Sequence, residues 1–323
     1  MHTVLVTGVG AIIGYGAVRS LRKARSDVRI VGMDIYPDAV GQAWCDAFAV
    51  AVPAADRGYV PFLTELIRTE RINLVIPAIE QDAFRMSEER LALERTGARF
   101  ALNAAELVVT AHDKWSMYNR LCGAGLPAIP TAVDGTFDEL SARFGVPFIV
   151  KPRRGYASKG LVRVETEDDC RYWRARLGDE FMAQPIVGDD SSEYTVGAFG
   201  LGDGTVTGRM ILRRTLARDG STAKAWVLAV PELDGAVDAL AALFRPVGPT
   251  NFQFRRHQGT YLLLEINPRV SSSTSLRAAF GVNDAAMCVE YFLEGRTPAQ
   301  PPVRSGFAVR YIEDVVIHDR DHF

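Results

Sequence analysis

The first hundred residues alternate short β-rich runs with helical ones, and no other feature constrains the fold as tightly. In order they read "TVLVTG", a helix through "AVRSLRKAR", "VRIVGMD", "AFAVAVP", a helix "YVPFLTELIRTER", "INLVIPAI", a helix "FRMSEERLALERTG", and "ARFAL". Strands separated by helices in this way predict right-handed βαβ crossovers and a parallel sheet. Ligands of such sheets lie beyond the carboxyl ends of the strands. Here those ends are the turn from Gly8 to Gly14, Asp34, and the loop "PAIEQD".

The first of these ends raises a specific question. Gly8, Gly10 and Gly14 in "VLVTGVGAIIGYGAVRSL" let the backbone turn tightly, and a helix starting near Ile12 would aim free N–H groups at an anion. Asp34, ending the next strand, stands where an acidic side chain would meet the ribose of a dinucleotide. The glycines are nevertheless spaced G-x-G-x-x-x-G, one residue longer than the dinucleotide fingerprint. A nicotinamide site and a bare glycine turn in a doubly wound domain both remain open on these residues.

Composition narrows the function classes. With 48% hydrophobic and 24% charged residues in 323, the chain reads as an ordinary globular enzyme. A formal net charge of −2 and no basic stripe argue against nucleic acid as partner. No apolar run reaches the ~20 residues needed to span a bilayer, and the N-terminal apolar stretch lacks a basic lead-in, so a cytoplasmic protein is expected. Cys45, Cys122, Cys170 and Cys288 are scattered with no CxxC pair, which suggests neither a disulfide framework nor a zinc site.

Past residue 105 the pattern changes. "AAELVVTAHDKWSMYNRLCGAGLP" reads as two helical stretches, and "FIVKPRRGYASKGLVRVE" as strand, basic glycine loop and strand, a hairpin. After Gly188 antiparallel-looking runs follow, "SEYTVGAFGLGDGTVTGRMILRRTL", "TAKAWVLAV" and "PTNFQFRRHQGTYLLLEINP", with a last strand "FAVRYIEDVVI".

Three features of this half carry chemistry. Lys151 ends a buried strand before a loop holding Gly155, Ser158 and Gly160, and such a loop can fold over a polyphosphate; an exposed hairpin tip is the plainer alternative. Gln253, Glu265 and Asn267 can share one face of two adjacent strands, because strand side chains alternate. Their oxygens suit Mg²⁺, with Arg269 two positions on placed for phosphate, and a buried uncompensated Glu in the apolar run "YLLLEINP" would be costly. In "MAQPIVGDDSSEYTV" an apolar strand meets a Pro and a Gly before Glu193, a hinge crossing that can pinch adenine and leave Glu193 to accept ribose hydroxyls, with a routine interdomain linker as the plainer alternative. Lys114 in "AHDKWSMYN" completes a set of cations.

Together these motifs resemble the ATP-grasp superfamily, and within it the branch similar to the large subunit of carbamoyl phosphate synthetase. "EINPR" and its partner "NFQF" are the most specific elements, and the likeness covers nearly the whole chain. It implies a mixed α/β and α+β fold: a Rossmann-like parallel-sheet domain over 1–105, connecting helices and a small lid over 106–186, and an antiparallel-sheet domain with the metal site over 187–323. It further implies that Lys114 and Lys151 contact phosphates and that the loop from Gly155 to Gly160 closes over the β and γ groups. Gln184 to Val187 would frame adenine, and Glu193 would hold ribose. Gln253, Glu265 and Asn267 would carry two Mg²⁺ or Mn²⁺, while Arg269 neutralises the transferring phosphoryl group.

The reaction implied is phosphorylation of a carboxylate by ATP to an acyl phosphate, then displacement of phosphate by an amine. A single module with no amidotransferase segment points to a free-standing carboxylate–amine ligase of small metabolites rather than to carbamoyl phosphate synthesis. Arg213, Arg214, Lys224 and Ser271 are candidates to bind the acid or its phosphate, with Arg213 ranked beside Arg269 as catalytic. Gly10, Glu80 and Asp82 are expected to shape the acceptor pocket. A homodimer is the default for a soluble enzyme. The alternatives are a Rossmann NAD(P)-dependent oxidoreductase and a non-catalytic ATP-binding sensor.

Overall fold

The computed structural model describes residues 2–155, 160–189, 191–217 and 220–316. It is a mixed α/β structure built on three sheets.

The N-terminal third runs β1 (His2–Thr7), α1 (Ile12–Ala24), β2 (Val28–Asp34), β3 (Ala47–Val50), α2 (Tyr59–Glu70), β4 (Leu74–Ile76), α3 (Glu80–Glu88), α4 (Arg90–Glu94) and β5 (Arg99–Phe100). Its strands form a parallel sheet in the order β3-β2-β1-β4-β5, as the alternation predicts. Helices cover both faces, so β1 from Thr3 onward and all of β4 are buried, which is why they read as apolar runs. The single helix expected over "FRMSEERLALERTG" is broken at Glu89, where φ −96° and ψ 16° leave helical geometry.

Next come α5 (Ala105–His112), α6 (Lys114–Gly123), α7 (Phe137–Phe144), β6 (Phe148–Pro152), β7 (Val162–Val164), α8 (Glu167–Leu177) and β8 (Phe181–Pro185). β6 and β7 pair antiparallel, the hairpin read from the sequence, and β8 closes the small sheet. α7 and α8 start at capping boxes, Thr136 with Glu139 and Thr166 with Asp169, which satisfy free N–H groups reciprocally. They cover a compact core of Leu140, Phe148, Val150, Val164, Cys170 and Phe181.

The last part contains β9 (Glu193–Leu201), β10 (Val206–Leu216), β11 (Thr222–Leu228), α9 (Pro231–Phe244), β12 (Val247–His257), β13 (Thr260–Asn267), α10 (Thr274–Ala279), α11 (Asp284–Cys288) and β14 (Phe307–Val309). These strands form one antiparallel sheet, β13-β12-β9-β10-β11-β14. One face packs Val196, Ile211, Phe252 and Ile266 against α9 and against α5 and α6, through Leu233, Val237, Leu107 and Met117. The other packs Phe199, Met210 and Leu212 onto α1 of the first sheet and onto α11, through Val18, Leu21 and Ala285. The parallel sheet and the antiparallel sheet therefore share a core. Asn103 ties them further, donating to the Pro249 carbonyl at 3.2 Å and accepting from the Val247 N–H at 2.7 Å.

The final strand is shorter than "FAVRYIEDVVI" suggests. β14 pairs only with β11, and the last backbone bond of that pairing is Arg310 N–H to the Ala223 carbonyl at 2.9 Å. β11 begins at Thr222, so the described residues 311–316 beyond Arg310 have no ladder to join. Among the described residues no helix is long and apolar enough to cross a membrane.

Candidate active site

The metal-type residues meet at one edge of the antiparallel sheet. Register pairs Gln253 with Glu265 and Asn251 with Asn267, so Gln253, Glu265 and Asn267 share a face as alternation requires. Asn267 Nδ2 donates to Glu265 Oε1 at 3.1 Å, and Arg269 Nη2 donates to Asn267 Oδ1 at 2.9 Å. Gln253 Oε1 accepts from the Arg214 guanidinium. One carboxylate and two amide oxygens form a hard donor set that suits Mg²⁺ once phosphate and water complete its shell. Among the described residues no group of three His, Cys, Asp or Glu side chains could hold an ion alone. The set thus fits an ion that arrives with a polyphosphate.

Arg269 shows the same incompleteness from the other side. Its Nη1 donates to the Val270 carbonyl at 2.9 Å, and its guanidinium lies 3.9 Å from Glu80, which reaches across from the start of α3. Its Nε is buried with no partner, a donor that an incoming phosphoryl oxygen would satisfy. Burial raises the pKa of Glu80, with Glu265 adding to the rise and Arg269, His112 and Lys114 opposing it. The first and third sheets therefore contribute charged groups to one spot.

The two lysines approach this spot from the small sheet and α6. Asp113 caps α6, accepting at Oδ1 from the Trp115 N–H at 2.9 Å, and its carboxylate also binds Arg153 at 2.6 Å and Arg154 at 3.2 Å. Burial opposes the Asp113 charge, but these bonds outweigh it and hold the carboxyl below its usual range. Lys114, the next residue, donates to the Gly155 carbonyl at 2.9 Å and so grips the start of the glycine loop. Burial lowers its pKa against the pull of Glu265 and Glu80. Lys151, on β6, is lowered to about 8 by burial and by its neighbour Lys114. Two ammonium groups, both disfavoured by burial despite the nearby Glu265, make added negative charge favourable here. Gly155 and Gly160 flank the loop; Ser158 lies outside the described residues.

At the hinge, Gln184 Nε2 donates to Thr131 Oγ1 at 2.8 Å. A cleft of about 20 Å³ beside it is walled by Lys114, Ile129, Gln184, Leu264 and Glu265, too narrow for a purine without movement of the small sheet. Pro185 ends β8, Ile186 is exposed and Val187 buried. Glu193 has an occupation that the sequence did not reveal. Its two oxygens accept from Arg214 Nη2 and Arg255 Nε, each at 3.0 Å, and the carboxylate is buried. It is a counter-ion first, and ribose hydroxyls would have to share it. The chain signal was available in part: Arg255 is the direct cross-strand partner of Glu193.

Two expected substrate residues face away from this cluster, and a third is occupied within its own loop. Arg213 is exposed on the opposite face of β10, its guanidinium 5.1 Å from the Trp226 ring centre. Arg214, ranked below it, is the one that points into the site. Lys224 is paired with Thr215 and likewise exposed. Ser271 is buried and holds its own loop, accepting from the Ser273 N–H at 3.1 Å while its N–H donates to Thr274 Oγ1 at 3.2 Å.

Gly10, Glu80 and Asp82 do lie together, lining a cavity of about 1030 Å³ beyond the carboxyl ends of the parallel strands. Asp82 is buried near Thr7, and desolvation pushes its carboxyl up to about 6. Three donors of the glycine turn are used internally: Gly10 N–H goes to Asp34 Oδ2 at 2.7 Å, Val9 N–H to the Met33 carbonyl and Ala11 N–H to the Gly8 carbonyl. A Cβ on Gly10 would meet Asp34 Oδ2 at 3.0 Å, and one on Gly14 would sit 2.1 Å from the Gly8 carbonyl oxygen. Gly14 is therefore needed for packing with no dinucleotide present, and Gly10 sits in close contact with Asp34.

A family model described as "ATP-grasp in the biosynthetic pathway with Ter operon" matches residues 180–315. Formate-dependent phosphoribosylglycinamide formyltransferase of Burkholderia lata is 29% identical over 178 residues, covering 52% of this chain and 40% of that protein. The enzyme of the same name from Marinobacter nauticus is 30% identical over 159 residues, 46% of this chain and 37% of its own. The match thus spans about two-fifths of these relatives' length. Among solved structures, N5-carboxyaminoimidazole synthetase from Staphylococcus aureus complexed with ADP superposes with a TM-score of 0.74 at 18% identity, over 94% of this chain and 80% of that one. Biotin carboxylase from Campylobacter jejuni, in an ATP-type complex, gives 0.74 at 17% identity over 93% and 73%. Neither the oxidoreductase nor the sensor alternative gains support from these likenesses.

Proposed function

We propose that the chain, whose residues 180–315 match an ATP-grasp family model and whose fold is that of ATP-grasp structures, is an ATP- and Mg²⁺-dependent carboxylate–amine ligase. It would form an amide or peptide-like bond through an acyl phosphate and release ADP and phosphate. The observation that carries this reading is the buried Arg269 Nε without a partner, set among Glu80, Lys114, Glu265 and Asn267. A cationic donor left unsatisfied there favours an anion as its natural occupant.

In this reading Lys114 and Lys151 hold the triphosphate, and the loop from Gly155 to Gly160 covers it. Gln184 to Val187 edge the base. Gln253, Glu265 and Asn267 would hold the divalent ion, Mg²⁺ or Mn²⁺, which supplies charge neutralisation on the transferring phosphoryl group. Arg269 steadies the same charge from the protein side, and Arg214 holds the Gln253 oxygen in place. Glu80, between Arg269 and the cavity, receives the amine's proton as the carbon–nitrogen bond forms. No nucleophilic side chain is required, in keeping with the absence of any such arrangement in the sequence.

Both substrates are small molecules, with no nucleic-acid partner. We place the protein in the cytoplasm and expect a homodimer. The test is purified protein with Mg²⁺·ATP and mixed pools of carboxylates and amines, products identified by mass spectrometry. Substrate-dependent ADP and phosphate release should occur and vanish in Glu265→Ala; release of AMP and pyrophosphate would rule out the acyl phosphate route.

A further inference from the structure

The cavity beyond the parallel strands carries a chemical bias that the reaction alone does not specify. At about 1030 Å³ it has room for a sizeable small molecule, and Met33, Ile35, Val52, Ala54 and Ile79 make much of its wall aliphatic. Its charged lining is one-sided: Asp34, Asp38, Glu80, Asp82 and Glu88 against Arg85 and His112. Arg85 is ion-paired with Glu89 at 3.2 Å and Glu88 at 3.7 Å, which leaves only its buried Nε without a partner, and the His112 ring packs on Phe84 with centres 4.6 Å apart.

The backbone is no more welcoming to an anion. Asp34 already accepts from the Gly10 N–H of the glycine turn at 2.7 Å and from the Tyr36 N–H after β2 at 3.1 Å, so its carboxylate occupies two donors that a phosphate could otherwise use. An entering phosphate or carboxylate would face several carboxylates across a low-dielectric wall, and like charges repel there more strongly than in water. An ammonium or neutral amine would meet acceptors on the same wall.

Resting on the ligase reading above, we infer that this cavity takes an acceptor whose primary amine is carried on an apolar body without a phosphate group. The amine end lies toward Glu80, because Glu80 lines the cavity and also stands 3.9 Å from Arg269 at the phosphoryl-transfer cluster. In the joining step the nitrogen lone pair forms the bond to the acyl carbon. The carbon–oxygen bond to phosphate breaks, its electron pair leaves on the phosphate, and the amine's proton passes to the Glu80 carboxylate.

Calorimetric titration of the full chain, without nucleotide, tests this with phenethylamine, 2-phenylethanol, 3-phenylpropionate and phenyl phosphate. Phenethylamine should bind at least tenfold more tightly than the other three. Ala55→Trp, at the exposed rim of the cavity, should weaken it tenfold or more while leaving binding of a Mg²⁺·ATP analogue unchanged. Asp38→Asn and Glu80→Gln should each weaken it severalfold. Tightest binding by the phosphate or the acid, or binding by none of the four, overturns the inference. The ligase reading is judged separately, since it fails if no pool of acids and amines elicits ADP release, whatever the cavity binds.

Discussion

Lys151 gives the most quantitative test of the triphosphate assignment. Burial, with Lys114 beside it, brings its ammonium from 10.5 to about 8. The charged form is thereby penalised by about 3 kcal/mol relative to water, at 1.36 kcal/mol per pKa unit. A bound triphosphate reverses that penalty by supplying the missing negative charge, so the lysine's pKa rises on binding. The sign follows: nucleotide binding takes up a proton wherever the free site is neutral and the occupied site is charged, and affinity falls as pH rises. With a free value of 8 and a bound value of 10 or above, uptake is about 0.1 proton at pH 7 and about 0.9 at pH 9. Affinity is then about tenfold weaker at pH 9 than at pH 7.

The assay is calorimetry with Mg²⁺ and a non-hydrolysable ATP analogue, at each pH in two buffers of different ionisation enthalpy. Lys114, also lowered by burial, adds uptake in the same direction. Lys151→Arg therefore provides the control, because a guanidinium stays charged throughout and leaves only the Lys114 part. Wild-type uptake that is no larger at pH 9 than at pH 7, or that is unchanged in Lys151→Arg, would refute the placement of Lys151 against phosphate.

Three further outcomes are expected. Asp82, raised from 3.8 to about 6 by burial, costs stability when ionised: the cost is absent well below pH 4, grows as pH rises through 4 to 6, and reaches about 3 kcal/mol above that. Asp82→Asn should accordingly stabilise the protein against urea more at pH 8 than at pH 4, and equal gains would contradict the burial account. Glu193→Ala leaves Arg214 buried and uncompensated, so denaturant unfolding should show a loss of about 3–5 kcal/mol. Arg213→Ala should leave kcat intact and cost only about 0.5–1 kcal/mol of stability through Trp226, whereas Arg214→Ala should lower kcat at least tenfold by releasing Gln253. The reverse order in steady-state kinetics would restore Arg213 to the site.

Arg213 and Arg214 also show where sequence reasoning stops. On β12 and β13 the polar residues Gln253, Glu265 and Asn267 stand among apolar neighbours, and a two-residue period alone brings them to one face. The same rule is silent on β10, because both its faces are covered: Ile211 packs on the α9 side and Leu212 on the α1 side, so consecutive apolar residues give no clue to which arginine points where. The parallel sheet was legible for a related reason, since strands buried on both faces form short apolar runs bounded by turns. What stayed hidden is contact between distant segments. Asp34 was visible as an acid at a strand end, but its bond to the Gly10 N–H, 24 residues away, decides that the turn holds a carboxylate of its own. Likewise "PAIEQD" pointed to the cleft, while only the packing of the antiparallel sheet on the parallel one brings Glu80 within reach of Arg269. The glycine turn and the "EINPR" strand thus act on one space from opposite walls, and the chemistry of that space follows from charges that neither segment carries alone.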